Sequence, residues 1–177
     1  MRDVGRMRAA WSGGEGNNLT VHHNTTNEWV LWVVALSCAL HAAEEYFTGW
    51  QQWALETLAI AMPASWFLVA NALLVLAAVS LAGIGWRRPT LSLIIPAATL
   101  SNAIFFHILP TVMQGRRSPG VYTATLLYMP FSTWALLGAW RDGVGKRAIG
   151  MAVVAGSLQM MAVVVAARWM SSVNRVG

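Results

Sequence analysis

Charge is scarce in this sequence. Only 11% of its 177 residues are Asp, Glu, Lys or Arg, while 56% are hydrophobic; ordinary soluble domains carry roughly 25% charged residues. A soluble chain of this size needs more charge than that to cover its surface, so the composition argues for an integral membrane protein. Cysteine is nearly absent. The single Cys38 can close no intrachain disulfide and builds no Cys-based zinc motif. Heptads, solenoid repeats and low-complexity tracts are missing too. The net charge is +5, but the basic residues fall in short clusters between apolar runs, not along one stripe. That pattern argues against nucleic acid as a partner and for membrane topology.

Long apolar runs take the place of charge. A span needs about 20 residues, and five stretches qualify: about 28–47, 62–86, 90–114, 119–140 and 147–170. The expected fold is an all-α integral membrane bundle of five transmembrane helices, with the bilayer as its partner. Between the first two spans, "TGWQQWALETLAIAMP" is too polar to cross and rich in tryptophan, which predicts a short interfacial helix. Trp50, Trp53, Trp66, Trp86 and Trp140 suit interfacial belts. Residues 1–26 form a polar, Gly- and Asn-containing tail that predicts disorder; residues 27–177 form the transmembrane domain. With the N-terminus inside, inner segments hold eight Lys and Arg against four outside. The expected location is the cell membrane, N-terminus in.

Ionisable groups inside spans cost about 2.5–3.5 kcal/mol each at a helix centre, and that cost marks them as functional. The first span holds "SCALHAAEEYF". At roughly 100° per residue, Ser37, Cys38, His41, Glu44 and Glu45 share one polar arc, while Ala42 and Ala43 point away. Such an arc faces protein or a wet cavity. Two adjacent glutamates on one face repel, so a proton, a cation, a metal or His41 must compensate. The third span carries Asn102 and His107, which fall about 140° apart on an ideal wheel. Both serve one site only if the helix is distorted or the site lies between them. Pro110 cannot donate to the carbonyl of Phe106, so a kink is expected there. The first and third spans run parallel. His41 lies about 20 Å along the first, Asn102 and His107 about 18 and 25 Å along the third. Asn71, Thr123 and Gln159 fall in or near the same half of the bilayer, so a convergent polar pocket is expected.

"HAAEE" and the later "SNAIFFHILPTVMQGRRSPGVYTATLLYMP" together resemble the HXXEE family of small membrane proteins. The resemblance covers most of the chain after the tail and implies carry-over of His41, Glu44, Glu45, Asn102, His107, Pro119 and Gly120. In that family a tyrosine often stands two residues before the proline; here the position is Arg117, a departure from the pattern. The family name describes residues and no activity. Pro119 also suits the first turn of the next helix.

Three readings of these polar residues remain open. One is structural: His41 and Glu45 pair at i and i+4, and Glu44 pairs with Arg168 or a loop arginine. The second is an enzyme on a lipophilic substrate, with His41, Glu44, Glu45, Asn102 and His107 as catalytic residues. Its metal-free version does acid–base work of an isomerase or cyclase kind, and is slightly preferred. Its metal version has His41, Glu45 and His107 bind zinc or iron, leaving the second glutamate as base. The third is a proton-coupled transporter or small-molecule-binding protein. It is weakened by the lack of an inverted repeat and by polar groups that favour one leaflet.

Overall fold

The computed structural model describes residues 25–173. The tail expected at 1–26 lies outside the described residues except for its last two. Among the described residues the protein is all-α, with no strands. Six helices follow in order: α1 (Val30–Phe47), α2 (Trp50–Leu58), α3 (Ala64–Ile84), α4 (Pro89–Gln114), α5 (121–141) and α6 (Lys146–Val173). Four are long and apolar enough to cross a membrane: α1, α3 with its following 3-10 turn, α4 and α6. The segment expected as the fourth span forms the continuous helix α5, but Tyr122, Thr123, Thr125, Tyr128, Ser132 and Thr133 make it more polar than those four.

The distribution of residue sizes is that of a bundle in lipid. Buried positions are dominated by alanine, among them Ala35, Ala78, Ala82, Ala103, Ala124, Ala135, Ala139 and Ala152, while Leu36, Phe47, Leu73, Leu76, Leu126, Leu158 and Val165 are exposed. Without a hydrophobic drive between helices, close packing of small residues is what brings membrane helices together. Gly156 shows how close the approach is. A Cβ there would stand 2.5 Å from the carbonyl oxygen of Ile94 and 2.7 Å from the amide nitrogen of Ala98. This lets α6 lie against the backbone of α4, the central helix.

Two stretches depart from α geometry. Residues Ala103–Ile108 of α4 and Ala124–Ser132 of α5 are π-helical. Each has a proline in or just after it, Pro110 and Pro130. A proline removes one backbone donor and crowds the preceding turn, and π segments in α-helices concentrate at functional sites.

At the end of the bundle remote from His107, Asp142 staples three elements. Its buried carboxylate accepts from Asn27 N (2.7 Å), Asn27 Nδ2 (2.7 Å) and Trp86 Nε1 (2.9 Å). Trp86 is thus buried, not part of an interfacial belt, because its indole donor is used inside the protein. Asp142→Ala strands three donors. Only the Trp86 bond is fully buried, the two from Asn27 being partly exposed; at about 1–3 kcal/mol for a buried unsatisfied group, the loss is expected to be about 1–3 kcal/mol. Unfolding in detergent micelles checks this; an unchanged midpoint would refute the staple.

The segment after α1 is helical as expected, but it does more than lie on a surface. Trp53, Ala54 and Ile60 are buried against Val164 and Ala167 of α6, and the Ala61 amide donates to Ser171 Oγ at 2.9 Å. Folded back in this way, α2 closes one side of an internal cavity. Trp53 is buried with it, instead of sitting in an interfacial belt.

Candidate metal centre

His41 and Glu45 stand one turn apart on α1, and the π segment of α4 delivers His107 beside them. All three are buried. The His41 and His107 rings are edge to face with centroids 4.7 Å apart. His41 Nε2 and His107 Nε2 each lie 3.5 Å from Glu45 Oε1. The three donor atoms lie within 4.8 Å of one another.

The other ring nitrogen of each histidine is held by a hydroxyl. His41 Nδ1 is 2.8 Å from Thr123 Oγ1, and His107 Nδ1 is 3.1 Å from Ser118 Oγ. Thr123 Oγ1 donates to the Gly120 carbonyl at 3.2 Å. Ser118 Oγ has the carbonyls of Phe106 (3.3 Å) and Pro119 (3.2 Å) to donate to. A hydroxyl has one hydrogen. With that hydrogen on a carbonyl, each hydroxyl accepts from its histidine, so both protons sit on Nδ1. Both Nε2 lone pairs are then left facing the Glu45 oxygen, and neither Nε2 has a hydrogen-bond partner. A distance of 3.5 Å is too long for a charge-assisted hydrogen bond of roughly 2.7–2.9 Å. It matches two ligands of one tetrahedral ion, whose donors stand roughly 3.3 Å apart when bonds are about 2.0–2.1 Å. A histidine whose second nitrogen is fixed by an outer acceptor is the usual form of a metal ligand.

Around this triad, Tyr128 from the π segment of α5 lies against His41, with ring centroids 4.4 Å apart at 36°. Gly120, with φ of 86°, brings the loop before α5 onto the cluster. Helix α5 begins after Gly120, so Pro119 precedes the helix instead of occupying its first turn. The left-handed glycine is what lets the chain pass this close to three side chains.

Glu44 is turned elsewhere. Its Oε2 accepts from Thr123 N at 2.7 Å and its Oε1 from Tyr122 N at 3.1 Å. These are the second and third residues of α5, whose first amides have no helical partner. A carboxylate from α1 therefore does for α5 what an N-cap side chain does locally. Asn102 sits near the triad without joining it. Its Oδ1 is buried and unpartnered, and its Nδ2 meets only Met160 Sδ at 3.8 Å. Asn102 and His107 nonetheless face one cavity of about 390 Å³ together with His41 and Glu45. The ideal-wheel conflict between them disappears because the intervening residues are π-helical, with hydrogen bonds spanning five residues in place of four. Asn71 and Gln159 line the same cavity. Cys38 is buried beside Tyr128, to which its thiol is hydrogen-bonded. Arg117 donates to the Tyr122 hydroxyl.

Sequence reasoning does not single out Ser118 or Tyr128. Ser118 had a signal: Pro110 frees the Phe106 carbonyl, and a donor was needed for it. Tyr128 had none, because its position depends on the π geometry of α5.

Several membrane-length apolar helices around a buried His41/Glu45/His107 cluster define a multi-pass membrane protein with an internal polar centre. The chain belongs to the HXXEE family, described as a protein of unknown function with HXXEE motif, whose match covers residues 32–135, more than half of the chain. Searches of curated proteins and of solved structures find no match.

Proposed function

We propose that this is a membrane-embedded, metal-dependent enzyme acting on a lipophilic substrate, with His41, Glu45 and His107 as ligands of a zinc or iron ion. One observation carries the reading: the buried, unpartnered Nε2 atoms of His41 and His107 each stand 3.5 Å from Glu45 Oε1. Lone pairs facing a carboxylate oxygen repel, and a divalent cation removes that repulsion. The ligand set is that of thermolysin-type zinc and of open non-haem iron sites. When bound, the ion would act as a Lewis acid toward a lone-pair oxygen or activate a water. The protein's own groups do the rest. Thr123 and Ser118 hold the imidazole tautomers, Tyr128 and Asn102 present polar side chains to the cavity, and the apolar walls exclude bulk water. Glu44 spends both oxygens on α5, so the geometry favours it as a positioning residue over a general base.

The same reading places α5 across the bilayer as a fifth span, α2 at the interface, and the N-terminus inside. The Lys and Arg asymmetry supports that orientation, and the continuous helix α5, packed against α1 and α4, supports five crossings.

Metal analysis of protein purified without added chelator tests the proposal. Wild type is expected to carry about one zinc or iron per chain, and His41→Ala and His107→Ala are expected to lose it while remaining folded. Protein without metal that also takes up none of either ion would sink the metal centre and return the triad to metal-free acid–base chemistry.

A further inference from the structure

Four buried side-chain polar atoms lack a hydrogen-bond partner among the described residues: His41 Nε2, His107 Nε2, Trp53 Nε1 and Asn102 Oδ1. All four residues line the one 390 Å³ cavity. The proposed ion satisfies the two imidazole nitrogens; Trp53 Nε1 and Asn102 Oδ1 remain, each costing about 1–3 kcal/mol if left unsatisfied, and their meeting in one cavity points to an occupant that satisfies them. We propose that the cavity binds a neutral, hydroxyl-headed long-chain molecule that enters sideways from the bilayer between α3 and α6. This deepens the proposed function and rests on its assignment of the triad as the reacting centre.

The head group follows from the lining chemistry. An indole N–H only donates and needs an acceptor; an amide oxygen only accepts and needs a donor. A hydroxyl offers both, and its lone pair also suits a Lewis-acidic ion. No Lys or Arg lines the cavity, and Glu45 is its one carboxylate. An ionised carboxylate or phosphate head only accepts, and would leave the Asn102 oxygen without a donor. The head is therefore uncharged.

The tail follows from the walls and the mouth. Trp50, Ile60, Phe67, Leu74, Phe106 and Val164 make the walls apolar. Leu73 on α3 and Val163 on α6 also line the cavity, yet are 61% and 54% exposed. Both lie within helices of membrane-spanning length, so the opening faces hydrocarbon, not water. At about 30 Å³ per water-sized group, the volume of 390 Å³ takes about a dozen such groups. A longer chain leaves its end in the opening, among lipid tails.

The test uses full-length protein in lipid nanodiscs and a 1-hexadecanol analogue carrying a diazirine along its chain. Photolabelling is expected within residues 98–107 and on the facing parts of α3 and α6. Unlabelled 1-hexadecanol should compete, and hexadecane and hexadecanoate should not. Trp53→Phe and Asn102→Leu should each weaken labelling about fivefold or more, the worth of roughly one hydrogen bond. Ala77, one turn after Leu73 on α3, also lines the cavity, and the double variant Ala77→Trp with Val163→Trp should block entry while leaving metal content unchanged. Equal competition by hexadecane or hexadecanoate overturns the inference, as does labelling indifferent to the blocked mouth. Metal is measured on the same samples. Metal without cavity labelling overturns this inference and leaves the centre standing. Competed cavity labelling without metal supports the bound alcohol and overturns the centre.

Discussion

Glu45→Gln is expected to strip the protein of its metal, whereas Glu44→Gln is expected to leave the metal in place. The two residues are neighbours in sequence and both carboxylates, yet they face different tasks. Glu45 Oε1 stands 3.5 Å from both free imidazole nitrogens. An amide there keeps the shape and loses the negative charge that balances a divalent ion. The affinity loss should exceed the roughly 10–100-fold seen when an outer-shell partner is removed. Glu44 holds the first amides of α5 at 2.7 and 3.1 Å. Glutamine keeps one acceptor there and loses the charge that favours a helix N-terminus, worth about 0.3–1 kcal/mol. Its cost should therefore appear in the unfolding midpoint and not in the metal content. Elemental analysis beside thermal unfolding reads both effects. Equal metal loss from the two variants would refute the division of labour.

That division was not legible in the sequence, and the reason is physical. A helical wheel places Glu44 and Glu45 on the same arc as His41, but the wheel holds no information about what stands opposite. Glu44's task is set by where α5 begins, at Val121, 77 residues further along the chain. What was legible was local or followed from parallel threading: His41 and Glu45 one turn apart, and His107 at a matching height in a parallel helix. The all-α architecture and its long apolar helices were legible because the bilayer imposes a composition rule on every residue of a span. Helix α5 reads less clearly because it carries the site's polar supports, Thr123 and Tyr128, at the cost of apolarity. The relation between Asn102 and His107 shows the limit most sharply. An ideal wheel separates them and demands a distortion, and a π segment between them supplies it. Sequence could state the need; only the fold says which distortion meets it. Trp53 and Trp86 mislead for a similar reason. Tryptophan between spans suggests an interfacial belt, but tertiary contacts with α6 and Asp142 bury these two.

Gly120→Ala is expected to disable the centre although residue 120 contributes no ligand. Two separate effects act there. The φ of 86° lies in the left-handed region, where a non-glycine residue costs about 1–3 kcal/mol. The added Cβ would also stand 2.7 Å from His41 Cε1, 2.9 Å from Glu45 Cγ and 3.0 Å from His107 Cε1. Those atoms are not the free ends of flexible chains: both rings are pinned through Nδ1 and buried, so relief requires the triad to spread. Overpacking of this kind costs about 1–3 kcal/mol more, and the spread falls on the spacing that a metal needs. Gly115→Ala is the matched control. Gly115 has a φ of 62° with nothing within 4 Å of its would-be Cβ, so it incurs the backbone strain without the collision. Gly120→Ala should therefore lower the unfolding midpoint more than Gly115→Ala and lose metal, while Gly115→Ala keeps a full complement. Equal behaviour of the two variants would mean that the left-handed turn matters only as a turn. Loss of metal at Gly120 alone would mean that the glycine next to the proline is there to leave room for two imidazoles and a carboxylate.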